Sequence, residues 1–160
     1  MRYKRIFSID DPDIPYLTMI LKLPEIARFI SIDEKNYWHY VTSNENVFYF
    51  KAYEQGRLVG ATHCEIVDHI LYMDIMIIPA YQRKGFGEMI LQDIQNGKLP
   101  LAYDQIEVSI EDTNVASIKL FEKMNFHCVS KEEELLNYRY LKISFLIHLL
   151  LFLLQNAKSH

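Results

Sequence analysis

Residues 71–88 run LYMDIMIIPAYQRKGFGE, and the period of the apolar positions changes inside them. The first eight residues form an apolar run that predicts a strand over 71–78, and Pro79 closes it. Beyond the loop a helix is expected over 86–96, with Gly97 just past its end, where a left-handed cap is cheap. The whole chain holds five glycines, and two of them, Gly85 and Gly87, sit two apart where strand hands over to helix. Successive backbone N–H groups at a helix start make an anion nest, and glycine lets a phosphate approach without a Cβ in the way. Arg83 and Lys84 add local positive charge. A plain surface turn fits the same residues. Neither G-x-x-x-x-G-K-[ST] nor a third glycine for a dinucleotide fingerprint is present.

Outward from this stretch, strands over 47–53, 58–67 and 71–78 with turns at 54–56 and 68–69 predict an antiparallel meander. Ahead of it come a strand over 3–8 and broken helices. Ile14, Leu17 and Leu21 recur at helical spacing over 15–23 until Pro24 interrupts, and a second short helix covers 25–30. Ser31 and Glu34 are spaced as a capping box for a third helical piece through Tyr37, Trp38, Tyr40 and Val41. Downstream, Ile106, Val108 and Ile110 alternate as a strand. Asn114 is a good N-cap for a helix through Met124 with Ile118, Leu120 and Phe121 on its apolar side, and strands near 126–130 and 138–144 follow. The order β, α, α, β, β, β, α, β, α, β, β predicts an α+β class with a mixed sheet. No repeat or linker divides residues 1–144, which read as one domain; only 145–160 change composition.

At 160 residues, half of them apolar and 24% charged, the chain has the balance of an ordinary globule and buries roughly 70% of its unfolded surface. Seventeen Lys and Arg against 21 Asp and Glu argue against duplex nucleic acid as a partner, since phosphate neutralisation supplies most of that affinity. Cys64 and Cys128 lie far apart with no metal-type spacing, which suits a reduced, cytoplasmic chain without zinc or disulfides. Asp10, Asp11 and Asp13 stand where a signal peptide needs its apolar stretch. Residues 143–154 are apolar apart from Ser144 and His148, yet twelve helical residues reach about 18 Å against the ~30 Å of a bilayer core. No membrane is expected, and a tail docked on the core or on a second copy, as in a homodimer, fits better.

Taken together, the strand, Pro79, QRKGFG and helix, then a strand and NVASIKLFEKMNF over 114–126, resemble the GNAT superfamily of acyl-CoA N-acyltransferases. Gln82, Gly85 and Gly87 match its R/Q-x-x-G-x-G/A pyrophosphate loop. Asn114, Ser117, Leu120, Glu122, Lys123 and Phe126 match its N-x-x-A/S-x-x-L-Y-E-K-x-G-F helix. The resemblance spans about residues 47–140, and the apolar tail has no counterpart in it. It implies a central mixed, largely antiparallel sheet flanked by helices, and transfer of an acetyl group from acetyl-CoA to a primary amine of a small molecule or peptide, with no metal. The backbone at Ile75, Met76 and Ile77 would lie beside the pantetheine arm, the strand splaying from the next one at a bulge. Amides of Gln82, Arg83, Lys84, Gly85, Phe86, Gly87 and Glu88 would hold the pyrophosphate, aided by the helix dipole. Asn114 and Ser117 would touch the pantetheine or adenosine side, with Lys123 a further phosphate candidate; Asn114 equally serves as a cap.

The chain also departs from the pattern. Phe121 stands where the resemblance implies a tyrosine as the acid for the departing thiolate; a phenyl ring has no proton to give, which leaves it as a cofactor-side contact. Leu71 and Met73 are apolar where the family often places a carboxylate. The candidates for the catalytic base are Asp74 and Glu107, each of which also reads as an ordinary solvated or ion-paired strand residue. Tyr72 and Tyr138 are candidate acids. His63 and His69 flank the meander, and no His pair has metal-ligand spacing. Tyr37, Trp38, Tyr40, Tyr49 and Phe50 read as core, or as a wall of the acceptor pocket. A CoA-binding sensor or interaction module with weak or no transfer is the alternative function.

Overall fold

In the computed structural model, which describes residues 1–33, 35–143, 147 and 150, seven strands form one sheet in the order β1-β2-β3-β4-β5-β7-β6. The centre is the expected meander: β2 (Val47–Glu54), β3 (Arg57–Val67) and β4 (Ile70–Ile77), all antiparallel. Its two turns carry positive φ at Gln55 and Gly56 and at Asp68 and His69, the left-handed pairs whose twist matches the strands they join. β1 (Arg2–Arg5) pairs with β2. The chain then leaves the edge of the meander and returns as β5 (Gln105–Glu111), the one parallel neighbour, followed by the antiparallel hairpin of β6 (His127–Glu132) and β7 (Leu135–Leu141).

Each face of the sheet has its own core, because side chains alternate along every strand. On β4, Leu71 and Met73 point to one core and Met76 to the other. Helices α4 (Phe86–Gln95) and α5 (Val115–Lys123) supply Ile90, Leu91, Ile94 and Phe121 to the first. Helices α1 (Ile14–Leu21), α2 (Pro24–Ala27) and α3 (Tyr37–Ser43) supply Leu17, Leu21, Ile26 and Val41 to the second.

Three short helices precede the meander, matching the three helical pieces read along the chain, although the expected order counts only two. Several local expectations need correction. Pro24 opens α2 at its first position, where the missing N–H costs nothing, and it holds Leu23 extended between α1 and α2. The capping box does not start α3: Asn36 precedes that helix, and the carbonyl of Asp33 accepts the N–H groups of Asn36 and Tyr37. Glu34 lies outside the described residues. β7 begins at Leu135 because the chain reverses sharply at Glu133, which has φ 54°; the expected end at Ser144 is again outside the described residues. Phe50 is core as expected, though it faces the opposite core from Tyr49, as its place on the strand requires. Finally, Ile143, Ile147 and Leu150 are exposed and not docked on the core. Among the described residues, no helix is long and apolar enough to cross a membrane.

One buried charge fixes the edge of the second core. Lys51 on β2 is 3% exposed, and its Nζ lies 2.7 Å from both Asp11 and Asp13, tying the segment ahead of α1 to the sheet.

Candidate active site

β4 and β5 pair only from Ile70 to Tyr72 with Gln105 to Glu107. Beyond that point β4 runs on to Ile77 and β5 to Glu111 without pairing to each other, so the parallel strands splay apart. No bulge causes this, contrary to expectation: the register of β4 on β3 is unbroken from Ile70 to Ile77. After a 3-10 turn over Pro79–Tyr81, the start of α4 reaches this opening, and Gln82 Nε2 donates to the Ile77 carbonyl at 3.2 Å. The result is a cleft of about 530 Å³. That is in the range of small-molecule sites.

The loop ahead of α4 is built for close approach by an anion. Gly85 is the N-cap at φ 83°, and Arg83 also holds a left-handed φ of 59°. The first helical bond runs from the Met89 N–H to the Gly85 carbonyl, so the N–H groups of the first turn have no partner within the helix. A Cβ built at Gly85 meets no atom within 4 Å, which leaves open space over the helix start. Gly87 has a different reason: a Cβ there would come within 3.0 Å of Leu120 Cδ2, so its absence lets α4 pack against α5.

Most of the residues singled out in the sequence converge here. Ile75, Met76, Ile77, Gln82, Arg83, Gly85, Phe86, Gly87 and Glu88 line the cleft, as do Asn114, Ser117 and Phe121 from α5. Asn114 also caps that helix, its Oδ1 accepting the Ser117 N–H at 3.2 Å. Phe121 presents an apolar wall and packs edge-on against Phe126 at 4.9 Å. Lys84 is not part of the lining: its Nζ donates to the Ala80 carbonyl and lies 5.4 Å from the Tyr81 ring. Lys123 pairs with Glu88 at 2.7 Å.

The two carboxylates part company. Asp74 lines the cleft, and burial pushes its carboxyl up to about 6, opposed only by the His63 backbone N–H. Glu107 stands outside the lining, held by Arg139 through Nη2 at 2.7 Å and Nε at 2.9 Å. The candidate acids are equally separated. The Tyr138 hydroxyl donates to Glu122 at 3.0 Å and is pushed up to about 12, by burial first and by that carboxylate second. Tyr72 is exposed, and His69 sits in a surface turn.

Of the aromatic group, Tyr37, Trp38 and Tyr49 form edge-on pairs at 5.0–6.3 Å over the second core, while Tyr40 is exposed. Sequence reading missed the wall supplied by Glu25 on α2 and Phe29 just beyond it, and Ser109 and Glu111 on β5. The β5 pair was open to view: if Ile106, Val108 and Ile110 face the core, Ser109 and Glu111 must face away from it. The α2 wall carried no local signal. Among the described residues, no group of three His, Cys, Asp or Glu is placed to hold a metal ion.

Residues 14–126 match the model of the acetyltransferase (GNAT) family. The chain belongs to this family. Solved structures agree in fold. The N-acetyltransferase PseH of Campylobacter jejuni in complex with acetyl coenzyme A is 12% identical, with a TM-score of 0.71 over 88% of this chain and 98% of that one. Spermidine N-acetyltransferase from Vibrio cholerae in complex with CoA and spermine is 14% identical, with a TM-score of 0.72 over 90% and 98%. An aminoglycoside acetyltransferase in complex with coenzyme A and kanamycin is 16% identical, with a TM-score of 0.70 over 90% and 97%. GNAT enzymes take their acyl group from acetyl-CoA, and the cleft of this GNAT chain suits such a donor: a helix start with unpaired amides, no side chain over Gly85, and an apolar wall at Phe121.

Proposed function

We propose that this GNAT chain transfers an acetyl group from acetyl-CoA to a primary amine by direct attack of the neutral amine on the thioester. The observation that carries the proposal is the opening between β4 and β5 with the Gly85 helix start at its edge. In this reading the amides from Gln82 to Glu88 bind the pyrophosphate, while backbone groups of Ile75, Met76 and Ile77, unpaired with β5, lie along the pantetheine arm. Asn114 and Ser117 steady it from α5. Holding both reactants in one cleft supplies the positional part of the rate enhancement. Asp74 takes the proton from the amine, and its raised pKa puts it near the working pH, as a general base requires. Glu107, neutralised by Arg139, has no part in the chemistry.

Carboxylates Glu25, Asp74, Glu88 and Glu111 line the cleft from four elements, Glu88 being paired with Lys123, and Arg83 lies in the phosphate loop. That distribution suits a cationic acceptor, in line with the spermine and kanamycin held by two of the compared enzymes. We read residues 1–144 as the catalytic domain of a cytoplasmic protein. The exposed Ile143, Ile147 and Leu150 suit a homodimer contact. A second reading, a CoA-binding sensor, is favoured by one observation: Phe121 stands where the acid would be. Thiol release from acetyl-CoA in the presence of spermidine, butylamine and kanamycin separates the two. Amine-dependent release is the expected result, and tight acetyl-CoA binding without release from any amine would leave the sensor.

A further inference from the structure

Pairing of β3 with β4 sets His63 directly opposite Asp74. Opposite residues of an antiparallel pair share a face with Cβ atoms about 4.5–5.5 Å apart. The imidazole is held in place: its Nδ1 lies 2.9 Å from Tyr37 Oη, its ring stacks on Tyr37 at 5.6 Å, and Tyr49 meets it edge-on at 6.5 Å. The titratable groups around it are Tyr37 on α3, Tyr49 on β2, Asp74 on β4 and Glu65 on its own strand, with Tyr40 beside Glu65. None of these is cationic.

Proton counting makes this neighbour useful. An ammonium acceptor carries three N–H protons, and the amide product keeps one. Two must leave the nitrogen, one carboxylate holds one, and Phe121 exchanges none.

We propose that His63, oriented by a Nδ1–H donated to Tyr37 Oη, is a positioning residue that receives at Nε2 the first proton Asp74 takes from the ammonium. Asp74 then returns to the carboxylate form and accepts the second proton as the C–N bond of the amide forms, the thioester C–S bond breaks and CoA leaves as the thiolate. After turnover the imidazolium and the Asp74 carboxyl each release one proton to solvent and the thiolate takes one up, so one ammonium and one acetyl-CoA give one amide, one CoA thiol and one proton. Burial holds the His63 pKa below its usual value and raises that of Asp74.

This inference rests on the transfer reading above, and it is tested in two ways on the full chain. Imidazole 15N and 1H shifts, with His63 assigned by loss of its signal in His63→Gln, are followed from pH 4 to 9. The neutral ring is expected as the Nδ1–H tautomer, with a midpoint at least half a pH unit lower in Asp74→Asn. An Nε2–H tautomer or an unmoved midpoint overturns the pairing. In thiol release with spermidine as the probe amine, His63→Gln and Tyr37→Phe are expected to lower kcat about tenfold and change its pH profile, with the KM for acetyl-CoA unchanged. Wild-type rates and profile in both variants overturn it. Acetyl-CoA binding without release from wild type, with any amine tried, counts against the transfer reading, and the NMR titration judges the pair in either case.

Discussion

The two ends of the cleft are made from different materials. At the α4 end the exposed polar groups are backbone amides, left open by a left-handed Gly85 and by a helix that begins at the cleft. At the Asp74 end they are side chains: a carboxyl on β4 raised by burial and a wall from the α2 segment, with the His63 imidazole, fixed by Tyr37, opposite Asp74 on β3 but outside the lining. A site of amides tolerates almost any side chain but not a Cβ in the wrong place. A site of side chains is undone by losing one functional group. On the proposed function, the first end governs binding and the second governs turnover.

The largest expected effect is at the amide end. Gly85→Asp puts a side chain and a negative charge where the phosphates would sit and forces an L-residue into φ 83°. Calorimetric titration should show acetyl-CoA affinity reduced by 100-fold or more; unaltered affinity would break the assignment of the loop. Asp74→Asn comes next and should separate turnover from binding: kcat lowered about 100-fold with little change in acetyl-CoA affinity. The same variant has a stability signature. Because the folded pKa of Asp74 lies above its unfolded value, ionisation opposes folding, and the penalty grows as pH rises from about 4 to about 6 and is fully present above that. Asp74→Asn should therefore be more stable than wild type at pH 7.5, on the order of 1–2 kcal/mol after allowance for partial solvent access, and equal to it near pH 4. Chemical denaturation at the two pH values checks this, and equal stability at pH 7.5 would refute the raised pKa. The smallest effect belongs to Glu107→Gln, which removes a surface pair with Arg139. Stability should fall by about 0.5 kcal/mol and kcat should stay within twofold. A large loss of turnover there would move the base from β4 to β5.

The same contrast explains what could be read from the chain. The amide end was legible because its requirements are local: Gln82, Gly85 and Gly87 fall within six residues, and Asn114 and Ser117 are spaced as cap and first turn. Asn125, where the motif resembled has glycine, shows the same logic, since its φ of 63° is one that asparagine tolerates. The side-chain end was only half legible. Asp74 was a candidate from its strand, but so was Glu107, and only the fold distinguishes them, by placing Asp74 in the cleft and Glu107 against Arg139. His63 and Tyr37 are 26 positions apart and meet because α3 lies across the meander. The N-terminal helices were misjudged for a related reason: at four to eight residues they are fixed by Pro24, Asp33 and the apolar face of the sheet more than by their own propensity.

The most direct test of the account is the melting temperature of the full chain with and without acetyl-CoA, with ATP and NAD alongside. At about 100 times its dissociation constant, acetyl-CoA should stabilise the fold by about 2.7 kcal/mol, a rise of roughly 5–10 °C, with no comparable rise from the other two. No shift with acetyl-CoA, or an equal shift with all three, would contradict the reading of Gly85 and the β4–β5 opening as an acetyl-CoA site.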